Sequence, residues 1–344
     1  MRAASVTLIG SLALAVWMHG GAVRAQDNFY AGKSIMLVVS TSSGGGYATY
    51  ARVLSRHIAN HIPGTPSIVM QFREGAGGIV AANYLYNTAP RDGTVFAAIH
   101  RGAISSVPLY GGEGVKYEPP RFTWIGSLNN EISFCVSWHT SAVKTFRDMQ
   151  ARELIVGGVG DGSETDFYPY IVNNIFGTKV KLITGYKGGD GISLAMERGE
   201  VEGRCAWSLS SIRTSRGDWL RDNKLNFLIQ FALEKNAEMP DVPLVLDLAK
   251  NADERKMLEL LFTPQVLGRA YLAPPDVPAD RTRILRAAFD AMVKDPAFLA
   301  EADKVQIDIA AVSGEKVAQL IDQMYATSPD LIRAAAAAME RKDR

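Results

Sequence analysis

The chain has 344 residues, with 37 Lys plus Arg against 36 Asp plus Glu, and 47% hydrophobic and 21% charged side chains. That mixture is long and apolar enough for two separately packed domains, and it excludes a disordered chain and a coiled coil. With no basic stripe it gives no reason to expect a nucleic-acid partner.

Residues 1–25 form a unit of their own. Arg2 precedes an apolar run through Leu8, Ile9, Leu12, Leu14, Val16 and Trp17, and Val23-Arg24-Ala25 puts small residues at the last and third-last positions. This is the pattern of a signal peptide cleaved after Ala25. A membrane anchor is the weaker reading, because the run is shorter than about 20 residues and Gly20-Gly21 breaks it. Cleavage removes Arg2 and Arg24, so the balance goes from 37 minus 36 to 35 minus 36, a mature charge of −1. The mature chain is expected outside the cytoplasm, with any membrane connection made by a partner.

Short apolar, branched runs then recur at 35–39, 68–72, 95–99, 154–156, 180–183 and 227–231. Runs of that length read as buried strands, and the helical patterns between them imply parallel β-α-β units, so the fold class is α/β. Tyr47, Ala51, Leu54 and Ile58 keep helical spacing up to Pro63-Gly64, and Ile79, Ala82 and Tyr86 do so up to Pro90 and Gly93. Phe167, Ile171 and Ile175 mark a third helix closed by Gly177, with Pro169 placed in its first turn, where the missing N–H is tolerated.

No repeat or low-complexity linker separates independent modules. The boundary is read near 126–129, where a Pro/Gly-rich stretch at 110–120 gives way to new strand signals. Residues beyond about 245 read as helices, at 280–293, 295–304, 314–325 and 329–341, expected to pack on the first lobe or bridge the two. One lobe is therefore expected over 26–126 with 245–344, and the other over 127–244. The only cysteines, Cys135 and Cys205, lie in strand-like runs. An exported chain oxidises such a pair if the fold brings them together, and two buried free thiols are the plainer alternative.

The strongest local feature is Ser42-Ser43-Gly44-Gly45-Gly46-Tyr47, between a strand and the helix it opens. Consecutive glycines expose several N–H groups at a helix N-terminus, where the dipole favours an anion, so the segment reads as a carboxylate or phosphate cradle or else as a tight unliganded turn. Gly75-Ala76-Gly77-Gly78 makes a second such joint, and the run through Gly157, Gly158, Gly160 and Ser163 makes a third. Thr184-Gly185-Tyr186-Lys187-Gly188-Gly189 is a fourth candidate. Open parallel sheets bind ligands at the carboxyl ends of their strands, so these joints are expected to converge across a cleft.

No glycine run ends as a P-loop, and Ser163 stands where the dinucleotide fingerprint needs glycine, so no cofactor is expected. There is no Gly-x-Ser-x-Gly elbow, no His-Glu-x-x-His and no Cys-x-x-Cys, which leaves no catalytic or metal assignment. His57 and His61 are four apart but read as ordinary helix residues. Arg204 is read as pairing with an internal acid such as Glu202 in preference to a ligand, and Trp138 and Trp207 as core rings.

Taken together, several motifs in order resemble the Bug-type solute receptors of tripartite tricarboxylate transporters. They run from Lys33-Ser-Ile-Met-Leu-Val-Val through Gly44-Gly-Gly46, Glu74-Gly-Ala-Gly-Gly78, Ala89-Pro-Arg-Asp-Gly93 and Tyr186-Lys-Gly-Gly189. The series continues at Gly199-Glu-Val-Glu202, Asp241-Val-Pro243 and Ala273-Pro-Pro-Asp-Val-Pro278. The resemblance implies a two-lobed Venus-flytrap receptor in the periplasm, monomeric and non-catalytic, which holds a small organic carboxylate and delivers it to membrane transporter subunits. Carried over by position, it implies binding by Ser42, Ser43, Gly44, Gly45, Gly46, Tyr47, Gly75, Ala76, Gly77, Gly78, Gly160, Ser163, Thr165, Tyr186 and Gly188. The chain departs from the common pattern at Ala48, where relatives carry Asp, and at Glu74, where they carry Pro. An exported hydrolase using the same cleft, or a ligand sensor docking a signalling receptor, are the competing readings.

Overall fold

The first apolar run forms strand β1 (Ser34–Val39), and it pairs in parallel with β2 (Ser67–Phe72) on one side and β3 (Val95–Ala98) on the other. Ile35, Leu37 and Val39 face one core cluster while Met36 and Val38 face another, so the sheet is covered on both sides and the run can be apolar throughout. Helices Gly46–His57 and Ile79–Asn87 make the crossovers, followed by a strand β4 (Thr123–Ser127). The computed structural model describes residues 29–160 and 163–342; the expected signal peptide at 1–25 lies outside them.

After β4 the chain crosses to a second sheet, made of β5 (Ser133–Trp138), β6 (Glu153–Gly157), β7 (Lys179–Ile183), β8 (Gly203–Ser208) and β9 (Leu225–Phe231) in the order β7-β6-β8-β5-β9. β6 is parallel to β7 and β8, while β5 runs antiparallel to β8 and β9. The chain then returns to the first sheet. β10 (Ala270–Ala273) inserts antiparallel between β3 and β4, and β11 (Val312–Ser313) pairs outside β4, giving β11-β4-β10-β3-β1-β2. The result is a two-lobed α/β protein with a cleft between the lobes.

Three expectations need correction. Residues beyond 245 are not all helical: β10 is an interior strand of the first sheet, four residues long and buried throughout, too short for any periodicity to announce it. The strand pattern is also mixed, with β10 and β5 each running antiparallel to both neighbours inside its sheet. Pro169 is the sixth residue of helix Glu164–Phe176, not part of its first turn, so the Thr165 carbonyl lacks the N–H that another residue would have offered.

Cys135 and Cys205 are joined by a disulfide, so the free-thiol alternative does not hold. The pairs Phe134 with Trp207 and Val136 with Arg204 enclose a bulge, in which Cys135 alone faces Cys205 and Ala206. Ala206 absorbs the extra length at φ +56°, and both sulfurs end up in the core between β5 and β8.

Candidate functional site

The parallel strands of both lobes end at the same cleft. The loops after β1, β3, β6 and β8, with the turn at 188–190, surround an inner cavity of about 60 Å³. The loops after β1, β2 and β7 surround an adjoining outer one of about 540 Å³, and Thr41, His100, Val159 and Gly188 border both. Of the residues expected at a site, Gly45, Gly46, Tyr47, Ser163, Thr165 and Gly188 line the inner cavity. Ser42, Gly75, Ala76, Gly77, Gly78, Tyr186 and again Gly188 line the outer one. Ser43, Gly44 and Gly160 lie beside these spaces without lining either.

Local chemistry explains each loop. Gly45 caps the Gly46–His57 helix with no side-chain bond, leaving its first amides to the cavity. Residues 75–78 all have positive φ, at 135°, 44°, 61° and 113°, a backbone that three glycines make accessible and that Ala76 is carried into. In the second lobe Asp166 organises the β6 loop. It accepts from Gly160 N–H at 2.9 Å, from the Thr165 hydroxyl at 3.0 Å and from the Thr184 hydroxyl. Burial pushes the Asp166 carboxyl up despite these donors. Ser163 is the N-cap of helix Glu164–Phe176 and accepts from Thr165 N–H at 3.3 Å.

The lobes touch across the cleft. The Ser42 hydroxyl donates to Asp190 Oδ2 at 3.2 Å. Gly160, at φ +132°, approaches Gly77 so closely that a Cβ would sit 3.3 Å from the Gly77 amide nitrogen. A Cβ on Gly188 would meet the Ser42 hydroxyl at 2.6 Å, so side chains at these two positions would hold the lobes apart.

Behind the cavity, Arg101 Nε donates to Glu164 Oε1 at 2.6 Å and its Nη2 to Ser133 Oγ at 2.8 Å. His100 Nδ1 lies 3.0 Å from Glu164 Oε2. Burial opposes ionisation of Glu164, but Arg101 and then His100 outweigh it and hold its carboxyl at about 2. Where the chain crosses between lobes a second buried pair forms, Arg269 Nη2 to Glu131 Oε1 at 2.8 Å, and the same guanidinium bonds Ser210 and Ser211.

Arg204 does not pair with Glu202, which instead accepts from Ser141 and from Ile155 N–H. Its guanidinium lies 4.9 Å from the Trp207 ring centroid and borders the inner cavity, and burial pushes its pKa down to about 10. Trp207 is thus a cavity wall as well as a core ring, whereas Trp138 packs on Trp219. His100, Arg101 and Asp190 also line the inner cavity and were not singled out from sequence. The available signal was position: His100-Arg101 follows a parallel strand directly, as the glycine joints do. His57 and His61 lie elsewhere, paired with Glu301 at 2.7 Å and Asp295 at 3.0 Å.

Among the described residues no helix is long and apolar enough to cross a membrane. No curated protein sequence matches the chain. In fold it is similar to the periplasmic binding protein BugD, with a TM-score of 0.70 and 17% identity over 91% of this chain and 100% of that one. It is similar also to MatC from Rhodopseudomonas palustris with bound malate, at TM-score 0.68 and 19% identity over 89% of this chain and 99% of that one. An R. palustris protein with adipate gives 0.68 and 17% over 89% and 98%. Residues 50–336 match the family described as tripartite tricarboxylate transporter family receptor. With both sheets' ligand-facing loops inside or beside that match, the chain belongs to this family of solute receptors.

Proposed function

We propose that the protein captures a small organic carboxylate between its lobes and delivers it to the membrane subunits of a tripartite transporter. The observation that carries this is the inner cavity, where the open amides of a helix N-terminus, several hydroxyls and the Arg204 cation face one space. Such a lining neutralises an anion through charge-assisted hydrogen bonds. The malate in MatC and the adipate in its R. palustris counterpart support the carboxylate class. The mature protein, freed of residues 1–25, acts in the periplasm as a monomer without catalysis. Lobes of 26–126 with 245–344 and of 127–244 close on the ligand, driven by its higher affinity for the closed form, which the transporter recognises.

The test is to unfold and refold the mature protein, removing carried-over ligand, and to melt it with a panel of carboxylic acids. Hundredfold excess over the dissociation constant stabilises by roughly 2.7 kcal/mol, a rise of several degrees. A dose-dependent rise for one acid supports the reading. Flat melts across the panel refute the carboxylate class.

One observation favours an exported hydrolase. Ser163 Oγ lies 3.4 Å from His100 Nε2, and His100 contacts Glu164 through its other nitrogen, the order of a serine triad. The contacts of Ser163 favour a structural role instead: it is fully buried, caps its helix and lies 2.9 Å from the Thr165 hydroxyl, while Arg101 engages Glu164. Hydrolysis of p-nitrophenyl acetate by the wild type, lost in Ser163→Ala, would establish the enzyme; equal rates in both support the receptor.

A further inference from the structure

Arg101, Arg204 and Arg269 all lie in the interlobe region, and they differ in one respect. Arg101 has Glu164 at 2.6 Å and Arg269 has Glu131 at 2.8 Å, so each carries its own counter-charge. Arg204 has no carboxylate within ion-pair distance among the described residues. Its Nη1 makes one long bond, 3.4 Å to the Gly189 carbonyl, and its Nε is buried with no partner. Arg216 and Arg269 add positive potential beside it, while Asp190, the nearest acid to influence it, is engaged across the cleft by Ser42. A largely buried cation with unused donors is costly unless an anion completes it.

Position adds to this. Arg204 projects from β8 in the second lobe, with the Trp207 ring under its guanidinium, whereas the open helix amides at Gly45 and Gly46 come from the first lobe. The inner cavity therefore offers two anion-stabilising features on opposite lobes, with a small space between them.

We propose that Arg204 is the specificity-determining residue of this cavity: it takes a second anionic group of the solute, so that a short dianion is preferred to a monocarboxylate of the same length. This rests on reading the cleft as a carboxylate site. It singles out the one unpaired cation among the described residues of the lining, since Arg101 is matched by Glu164 and Asp190 is engaged by the Ser42 hydroxyl.

Calorimetric titration of the refolded protein with succinate, 3-sulfopropionate, 3-phosphonopropionate, butyrate and β-alanine tests it. In the wild type at least one dianion should bind about tenfold or more tightly than butyrate, as expected for a charge-assisted contact. Arg204→Met should bring that ratio close to one by weakening the dianions far more than butyrate, and Arg204→Lys should restore part of it. The Arg204→Met variant without ligand should melt no lower than the wild type, since it loses an unpaired cation; Arg204→Lys keeps the test open if it does not fold. Butyrate binding as well as every dianion, or a ratio unaffected by Arg204→Met, overturns the inference and leaves the carboxylate reading standing. Preference for β-alanine also overturns it, by giving Asp190 the second contact. Binding of none of these probes, nor of any acid in the melting panel, overturns the carboxylate reading and this inference with it.

Discussion

Replacing Glu164 with Gln removes the negative member of the buried set that joins the two lobes. Arg101 and Glu164 are 3% and 1% exposed, so water cannot take over the lost interaction. The native carboxyl is held at about 2 against an ordinary 4.5, a depression worth about 3 kcal/mol at 1.36 kcal/mol per unit. Stripping one member from a buried pair costs roughly 3–5 kcal/mol, because the Arg101 cation is left uncompensated. For a chain this long, with an unfolding entropy of about 2.1 cal/mol/K per residue, that corresponds to a fall in Tm of about 4–7 °C.

The pH dependence has a definite sign. Because the folded pKa is depressed, the stabilisation is fully present above about 4.5 and is lost as pH falls towards about 2. Melts of wild type and Glu164→Gln by circular dichroism should therefore differ most at pH 7 and converge near pH 2. The double variant Arg101→Met with Glu164→Leu should recover most of the loss, since an apolar pair leaves no stranded charge. A Glu164→Gln variant melting within about 2 °C of wild type at pH 7 would refute the argument.

Reduction of the Cys135–Cys205 bond, which spans a sequence separation of 70, should destabilise by roughly 4 kcal/mol on chain-entropy grounds. Melts with and without a phosphine reductant check this, and an unchanged Tm with two thiols titrated would contradict it. Gly160→Ala should raise the dissociation constant of whichever carboxylate the melting panel identifies by about tenfold, since its Cβ would press on Gly77 in the closed form and strain a φ of +132°. An affinity equal to wild type in calorimetry would show that the lobes close without this glycine contact.

The sequence by itself determined the parts that are local. An apolar run such as 35–39 must be buried, glycines at 44–46, 75, 77 and 78 permit turns that side chains resist, and both constraints act within a few residues. The helices at Gly46–His57 and Gly314–Tyr325 were legible for the same reason, because their apolar faces repeat along the chain. Ordered motifs then made the family recognisable.

What only the tertiary structure decided is pairing between distant segments. β10 fills the middle of a sheet between β3 and β4, which lie far back in the chain, and four buried residues carry no period. The disulfide depends on a bulge that aligns one cysteine against another, which spacing cannot reveal. Glu202 is only two residues from Arg204 in sequence, but it precedes β8 and is taken up by Ser141 and the Ile155 N–H, partners from other segments, while Arg204 borders the cleft. His100 and Glu164 stand 64 positions apart, and only the meeting of the two lobes puts them 3.0 Å from one another.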